Sequence, residues 1–251
     1  MAEILSDETI DELNHLGRKI IQKRGAFRFS MDAVLLAHFP SYRPSDSVLD
    51  LGTGTGIVPL LMAEEAAHVD AVEIDGEMAE MARRSVAMNG LEEKVTIIRG
   101  DYREIDDLLP SEKIGGYDIV IANPPYYKAG SGKASRNESV RIARHEVNAT
   151  LDDTIRAARL CLRPRGRLAM IHIAERLDEI ILTMKKYDFA VKRIRLVQPN
   201  EKKGANLVLM EAAAGGKSGA VRFLPALIVY GEDGNYTREI LEIYGMQSGY
   251  E

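Results

Sequence analysis

The chain reads Ser47-Val48-Leu49-Asp50-Leu51-Gly52-Thr53-Gly54-Thr55-Gly56 at the point that decides its fold. An apolar run with the character of a buried strand passes directly into three glycines spaced two residues apart. Glycines in such a turn let the backbone approach a ligand closely and leave bare N–H donors at the start of a helix. The stretch therefore predicts a parallel strand, a ligand-binding turn and a helix.

Outward from this stretch, strand-like and helix-like segments alternate along the chain. Such alternation is typical of a parallel sheet covered by helices on both faces. We predict seven strands, over residues 47–51, 69–73, 95–98, 118–122, 167–173, 190–197 and 205–212. We predict helices over residues 57–67, 77–89, 151–162 and 174–187, with a short one near 237–244. The fold class is α/β, with a doubly wound, mostly parallel sheet.

The first 46 residues look like a separate N-terminal extension, so we predict domains at residues 1–46 and 47–251. Within the extension we predict a helix over residues 8–16 and a hairpin of residues 19–22 and 26–29. Gly25 supplies the positive φ angle that a tight turn of this hairpin favours. Ser30 is a suitable N-cap for a further helix over residues 31–39.

Composition excludes several classes of protein. The 251 residues are 45% hydrophobic and 28% charged, with a net charge of −5, as in an ordinary globular protein. No apolar stretch has the length of a membrane helix, and the acidic N-terminus is not a signal peptide. Cys161 is the only cysteine and the histidines are scattered, so we predict no disulfide, no metal and a reducing cytoplasm.

Basic residues are concentrated in one segment. Residues 128–167 contain ten Lys or Arg and four acids, a net charge of +6 in a chain of −5. A local basic face of this kind suits contact with phosphates, although a solvated loop and helix face would also explain it. We therefore take Lys128, Lys133 and Arg136 as candidate RNA contacts.

Acidic residues follow the second and third predicted strands. Glu73 can accept both hydroxyls of a ribose, as an acid does about 20 residues after the glycines of dinucleotide folds. The alternative for such acids is a helix N-terminal charge or a turn cap, which suits Asp75 and could suit Asp101. A dinucleotide is disfavoured because the glycines follow G-x-G-x-G rather than G-x-G-x-x-G. Asp50 would in addition repel a pyrophosphate.

Asn123-Pro124-Pro125-Tyr126 follows the fourth predicted strand. The Asn123 side-chain oxygen and the Pro124 carbonyl can accept the two hydrogens of an amino group and aim its lone pair. Pro124 and Pro125 fix the backbone, and Tyr126 can stack on a flipped base. Asn-Pro-Pro is also an ordinary turn signal. Its place at the carboxyl edge of the sheet, where ligands bind, favours a catalytic site.

The two motifs, in this order, resemble class I S-adenosylmethionine (SAM)-dependent methyltransferases of the NPPY type, which modify amino groups of nucleobases or a glutamine side chain. The resemblance implies a Rossmann-like sheet whose final strand is antiparallel, and SAM as cofactor. It implies that Asp50 lies near the methionine part of SAM and that Asp101 accepts a hydrogen bond from the adenine. Tyr102 or Ile74 would lie against the adenine ring, with Gly52, Thr53, Gly54, Gly56 and Glu73 completing the cofactor site.

Further stretches resemble the bacterial tRNA(Val) adenine-37 N6-methyltransferase family. They are residues 27–37, Arg144-His145-Glu146, Lys202-Lys203-Gly204-Ala205-Asn206, Ile228-Val229-Tyr230 and Tyr236-Thr237. This resemblance implies N6-methylation of an adenine in the anticodon loop of a tRNA, and covers nearly the whole chain.

Three alternatives stay open. A glutamine N5-methyltransferase that acts on a release factor also carries NPPY, but normally with a longer N-terminal helical domain. A ribosomal-RNA guanine N2-methyltransferase more often has Phe or another residue at the Tyr126 position. A non-catalytic SAM-binding or RNA-binding regulator is disfavoured by the intact motif. The sequence does not indicate the oligomeric state.

Overall fold

The structure is a computed structural model that describes residues 4–13, 17–24, 30–126, 149–217 and 219–246. Several sequence predictions fall outside these ranges. They are the strand over 26–29, the Arg144-His145-Glu146 stretch and the candidate RNA contacts Lys128, Lys133 and Arg136.

The described strands are β1 (Glu8–Leu13), β2 (Arg18–Lys23), β3 (Ser47–Leu51), β4 (His68–Glu73), β5 (Val95–Arg99), β6 (Tyr117–Ala122), β7 (Leu162–Ile173), β8 (Phe189–Gln198), β9 (Leu207–Ala214), β10 (Arg222–Phe223) and β11 (Leu227–Ile228). The described helices are α1 (Met31–His38), α2 (Ile57–Met62), α3 (Gly76–Met88), α4 (Ile105–Leu108), α5 (Leu151–Cys161), α6 (Leu177–Lys186) and α7 (Arg238–Ile243). Single 3₁₀ turns lie at Tyr102–Glu104, Ser111–Lys113 and Ala174–Arg176.

The large sheet has the order β10-β8-β9-β7-β6-β3-β4-β5, with β11 also paired to β8. Strand β9 is antiparallel to both of its neighbours, and the other pairings are parallel. The predicted doubly wound α/β fold is confirmed, including its antiparallel final long strand. The short strands β10 and β11 extend the predicted seven strands to nine at one edge. Pro225, which lacks an N–H donor, lies between them.

The central strands are buried on both faces, which is why their sequences read as continuous apolar runs. Val48 and Ile119 face one hydrophobic cluster, and Leu49 and Val120 face the other. The helix after β4 is fixed by local capping. The Asp75 side chain accepts hydrogen bonds from the N–H groups of Glu77 (2.7 Å) and Met78 (3.2 Å).

The predicted helix over residues 8–16 is wrong. Residues 8–13 form strand β1, which pairs antiparallel with residues 18–23 of β2. The second strand predicted for the hairpin, 26–29, lies outside the described residues. The cause is a tertiary contact. The Arg84 guanidinium on α3 donates two hydrogen bonds to the Glu8 carboxylate, at 2.7 and 2.6 Å, and Glu8 is only 5% exposed. This contact holds the residues in an extended conformation against α3.

Other boundaries differ in detail. Helix α2 ends at Met62 rather than at residue 67, and the predicted helix over 174–187 is a 3₁₀ turn followed by α6. Strand β7 begins at Leu162, five residues earlier than predicted, because Leu162 pairs with Tyr117 of β6. The register between the two strands shifts between Tyr117 and Ile119. The helix predicted after Ser30 is confirmed as α1, although the Ser30 side chain makes no capping hydrogen bond.

The N-terminal extension packs closely on the sheet domain. Leu13, Ile20 and the buried side chains of α1 belong to the same hydrophobic cluster as Val48 and Ile119. Helix α1 packs against α2, β7 and α7. The extension therefore covers one face of the sheet, and the domain boundary at residue 46 stays a prediction. In the described part of the chain, no helix combines the length and the apolar character needed to cross a bilayer.

We predict that Glu8→Gln destabilises the protein by about 1–3 kcal/mol, because the nearly buried Arg84 loses its charged partner. Hydrogen bonds from Arg84 lower the pKa of Glu8 below its ordinary value of 4.5. The contribution of the Glu8–Arg84 pair to the free energy of unfolding is therefore complete above pH 4.5. It disappears as the pH falls through the lowered pKa of Glu8. Guanidinium titrations between pH 3 and 7 measure it. Glu242→Gln is the control, since the exposed Glu242–Arg238 pair should contribute less than about 0.5 kcal/mol.

Candidate active site

A cleft at the carboxyl edge of the sheet brings together the predicted glycine turn, residues 52–56, and the Asn123-Pro124-Pro125-Tyr126 segment. This segment is called the clamp below, because it is predicted to bind an amino group. Its empty volume is about 600 Å³, including its open mouth. The lining residues are Ser30 and Ala33 of the N-terminal extension, Asp50, residues 52–55, Ile57 and Val58 around the glycine turn, Met78 of α3, and Asn123. Residues far apart in sequence therefore share one site because β3, β4 and β6 are parallel and end at the same edge.

A carboxylate from the next strand accepts a hydrogen bond from the glycine turn. Glu73, at the end of β4, accepts the Gly54 N–H at 2.7 Å with one oxygen and the Asp75 N–H at 2.9 Å with the other. Gly54 and Gly56 have φ angles of +62° and +88°, which residues other than glycine rarely adopt. A Cβ at Gly56 would lie 3.1 Å from the Ala82 Cβ. The turn therefore requires glycine both for its conformation and for its packing against α3.

Two buried oxygens in the cleft have no hydrogen-bond partner among the described residues: Asp50 Oδ2 and Thr53 Oγ1. Asp50 is 2% exposed. Burial raises the pKa of Asp50 to about 7, a shift that the neighbouring Thr53 hydroxyl opposes and the Glu73 carboxylate increases. Buried polar atoms are normally satisfied, so this pair indicates a place for a polar ligand.

The residues after β5 are largely engaged within the protein. Asp101 caps the 3₁₀ turn, and its carboxylate accepts hydrogen bonds from the Arg103 backbone (2.9 Å) and guanidinium. Burial would raise the pKa of Asp101, but the hydrogen bonds from Arg103 lower it below the ordinary value. The Tyr102 hydroxyl lies 3.0 Å from Thr154 Oγ1, and its ring flanks the turn at Gly52. Ile74 is 43% exposed beside Glu73. Their cofactor contacts stay predictions.

The Asn-Pro-Pro-Tyr segment begins directly at the end of β6, with Asn123 partly exposed and Pro124 buried. Its far end is anchored twice. The Tyr126 carbonyl accepts a hydrogen bond from Arg176 Nη1 at 2.9 Å, and the Tyr126 hydroxyl donates to the Asp32 carboxylate of α1. Burial raises the pKa of Asp32, an effect that the hydrogen bond from Tyr126 opposes. The clamp is thus fixed between the extension and the turn after β7.

Asp32, His172 and Arg176 were not among the site residues predicted from the sequence. The His172 ring is tilted by 51° against the Tyr126 ring, with centroids 5.2 Å apart. Its Nδ1 accepts the Ile173 N–H at 2.8 Å, and burial with the nearby Arg176 charge lowers its pKa to about 4. This imidazole is neutral at physiological pH and packs against the clamp. The position of His172 and Arg176 at the end of a parallel strand is the one sequence signal that could have indicated them.

Comparison with known proteins places the chain in a family. Residues 30–185 match the methyltransferase small domain, and the chain belongs to this family. A tRNA1(Val) (adenine(37)-N6)-methyltransferase of Porphyromonas gingivalis is 30% identical over 227 residues, which are 87% of each chain. The protein of the same name from Aeromonas hydrophila is 26% identical over 226 residues, covering 88% of this chain and 89% of that protein. The resemblance seen in the sequence is confirmed.

Solved structures agree on the fold. One described as a predicted O-methyltransferase from Agrobacterium tumefaciens has a TM-score of 0.66 at 23% identity, covering 88% of this chain and 98% of that chain. The 16S rRNA N2 methyltransferase of Thermus thermophilus, solved with AdoMet and guanosine, has a TM-score of 0.59 at 20% identity. That match covers 84% of this chain and 51% of the other. The fold is that of the class I methyltransferases.

We predict that Asp50→Asn stabilises the ligand-free protein at pH 8. The pKa of Asp50 rises from 3.8 to about 7 on folding, so stability falls as the pH increases between these values, and the full penalty applies above pH 7. Removing the charge should recover on the order of a few kcal/mol at pH 8 and little at pH 4. Denaturant titrations at several pH values measure this.

Asp46→Asn is the matched control for that experiment. Asp46 is also buried, but its Oδ2 accepts hydrogen bonds from the Arg43 N–H (3.0 Å) and from Arg167 (3.2 Å). Loss of a partnered charge should destabilise the protein, so the two substitutions should have opposite signs at pH 8. If Asp50→Asn also destabilises at pH 8, Asp50 is not held as an unsatisfied carboxyl group.

Proposed function

We propose that the protein transfers a methyl group from SAM to the N6 amino group of an adenine in the anticodon loop of a tRNA. One observation carries this proposal. The glycine turn after β3 and Asn123 after β6 line the same cleft. A cofactor held by the turn would therefore present its reactive group next to a side chain suited to bind an amino nitrogen.

The residues of the cleft fit SAM. Asp50 Oδ2 and Thr53 Oγ1 are buried acceptors that no described residue satisfies, and the cations of SAM suit an acidic position. Glu73 already accepts two backbone N–H groups, and carboxylate oxygens keep further lone pairs for ribose hydroxyls. Ile74 and Tyr102 offer apolar surface near the turn. When bound, SAM supplies an electrophilic methyl group on a sulfonium.

The clamp has the properties that an amino nucleophile requires. An exocyclic amine of adenine is a weak nucleophile, because its lone pair is delocalised into the ring. The Asn123 side-chain oxygen and the Pro124 carbonyl would accept its two hydrogens and orient the lone pair. Neither group titrates, and hydrogen bonds to Arg176 and Asp32 fix the far end of the segment. The rate enhancement would therefore come from preorganised dipoles. A general base is not needed before methyl transfer.

Adenine in tRNA is the substrate that the relatives favour. Proteins named tRNA1(Val) (adenine(37)-N6)-methyltransferase match 87% of this chain at about 30% identity. Lys128, Lys133 and Arg136, at the start of the basic segment, would supply charge for phosphate contacts. The arginines near its end are paired within the protein, as Arg167 is with Asp46 and Glu211. A tRNA substrate implies a cytoplasmic site of action, which is part of the proposal, as is the absence of a metal. A glutamine side chain and a guanine N2 amine remain the competing substrates.

The decisive experiment replaces Asn123. We predict that Asn123→Ala lowers the rate of methyl transfer by about 10²–10³, because one preorganised contact to the reacting group is lost. SAM affinity should be nearly unchanged, since the contact forms only when the substrate is bound. Labelled SAM is incubated with an unmodified tRNA(Val) transcript, and the RNA is digested to nucleosides.

Two controls accompany this assay. A transcript with guanine in place of the adenine 3′ to the anticodon should accept no label. A glutamine-bearing release-factor peptide tests the competing protein substrate. Full activity of Asn123→Ala would contradict the mechanism, and label on guanosine or on the peptide would replace the proposed substrate.

We predict that SAM affinity rises with pH up to about 7, since Asp50 must be charged to attract a cation and its pKa is about 7. Below that value each pH unit should weaken binding by up to about tenfold. Asp50→Asn should bind SAM more weakly and with little pH dependence. Calorimetric titrations between pH 5 and 7 stay below the range, about 7.7–8.0, in which an α-amino group loses its proton. An equal pH dependence in both proteins would show that Asp50 does not titrate with binding.

A further inference from the structure

The catalytic edge of the sheet continues well beyond the cleft. Because β9 is antiparallel to both β7 and β8, the strands β7 and β8 run in the same direction and end at the same edge. The loop after β8 is joined to this edge, since the Ala174 N–H donates to the Asn206 carbonyl at 2.9 Å. The Tyr230 N–H donates to the Pro199 carbonyl at 2.9 Å. The C-terminal segment therefore lies on the side of the sheet that holds the clamp.

Three tyrosines of this segment form a stack. The Tyr230 and Tyr236 rings are 5.2 Å apart between centroids with an interplanar angle of 19°, and Tyr236 and Tyr244 are 5.9 Å apart at 14°. Tyr244 and Tyr236 are partly buried against the hydrophobic cluster, whereas Tyr230 is 39% exposed. The stack, Tyr230–Tyr236–Tyr244, therefore runs from the interior to the solvent.

The inner end of the stack lies next to the clamp. Helix α7 packs against α1, which carries Asp32. Tyr244, at the end of α7, and Tyr126 both pack against the same hydrophobic cluster as α1. Asp32 in turn accepts the hydrogen bond from Tyr126. Helix α1 thus contacts both the helix that leads to Tyr244 and, through Asp32, the last residue of the proposed amino clamp.

Exposed lysines accompany the stack. Lys202 and Lys203 lie in the loop between β8 and β9, a loop whose start is bonded to Tyr230. Lys202 is 82% exposed in its side chain and lies 3.4 Å from Glu232, which is equally exposed. Exposed pairs of this kind contribute little energy, so Lys202 can exchange Glu232 for a phosphate. Aromatic rings beside lysines are the combination that single-stranded nucleic acid requires.

We infer that the Tyr230–Tyr236–Tyr244 stack is a platform for unpaired bases next to the target nucleotide, with Lys202 and Lys203 on their phosphates. This inference rests on the proposed function, because it assumes that the substrate is RNA. Single-stranded loops are recognised by stacking of splayed bases on aromatic side chains. The near-parallel rings continue a base stack, and the exposed Tyr230 is the ring on which the first base packs. Stacking tolerates any base, so the platform supplies affinity rather than sequence selectivity.

Two substitutions of Tyr230 separate stacking from other effects. Tyr230→Leu should weaken binding of an anticodon stem-loop RNA of tRNA(Val) by about tenfold or more, as loss of one stacked base does. The loss should fall on KM for the RNA rather than on kcat. Tyr230→Phe keeps the ring and should bind nearly like the wild type. Phe223→Leu is the matched control, because Phe223 is an aromatic residue with 66% exposure that pairs at Ile194, away from the catalytic edge.

A second measurement uses the unaltered protein. Stem-loop RNAs with single 5-iodouridine substitutions across the loop are irradiated, and the crosslinked residue is identified by mass spectrometry. Crosslinking to Tyr230 is expected from a loop position adjacent to the target adenine. A Lys202→Ala, Lys203→Ala double variant should lower the salt dependence of RNA binding by up to about two units of slope. Both substituted lysines are exposed, so this double variant tests the proposed platform even if Tyr230→Leu fails to fold.

The outcomes are distinct. The platform is overturned if Tyr230→Leu binds RNA as tightly as the wild type, or if Phe223→Leu weakens RNA binding equally. The proposed function still holds in that case, provided that the RNA is methylated. An unchanged salt slope in the double lysine variant, with no crosslink to the stack, has the same meaning. Methylation of a glutamine peptide and none of the RNA removes the proposed function and the platform with it.

Discussion

The hydrogen bonds of the Glu73 carboxylate hold the catalytic edge together. One oxygen binds the Gly54 N–H in the turn after β3, and the other binds the Asp75 N–H at the start of α3. Gly54 has a positive φ angle, and its N–H is bonded to the last residue of β4. A single buried acid therefore fixes the relative position of two strand ends and two helices. The cleft, and every contact proposed within it, depends on that spacing.

The second constraint is that the clamp is anchored from outside the parallel sheet. Tyr126 binds Asp32 of α1 through its hydroxyl and Arg176 through its carbonyl. Arg176 is itself paired to Glu179 at 2.8 and 2.9 Å, so its charge is compensated. The N-terminal extension consequently contributes to the reacting site and to the hydrophobic cluster. It is as much a part of the catalytic unit as the sheet.

The sheet and the cleft could be predicted because their signals are local. Buried parallel strands are continuous apolar runs, and Asp50, Glu73 and Asn123 each stand where such a run ends. The hairpin could not be predicted, because its extended state depends on Glu8 meeting Arg84, 76 residues later. The anchor of Tyr126 depends on Asp32, 94 residues earlier. Local patterns carry no information on such pairs, and the tyrosine stack was missed for the same reason.

The charge distribution of the site follows from what the chemistry needs. In the proposed mechanism Asn123 and Pro124 act as dipoles. The histidine beside the clamp, His172, is neutral because burial lowers its pKa to about 4. The one group in the cleft with a pKa near 7 is Asp50, among the described residues. Methyl transfer between an aligned amine and a sulfonium requires orientation before it requires proton transfer. Asn123, Pro124 and Pro125 contain no titratable group, and Asp50 lies at the proposed cofactor end of the cleft. This arrangement suits the proposed alkylation of a weakly nucleophilic nitrogen. In such a site, pH changes act on cofactor binding rather than on the reacting amine.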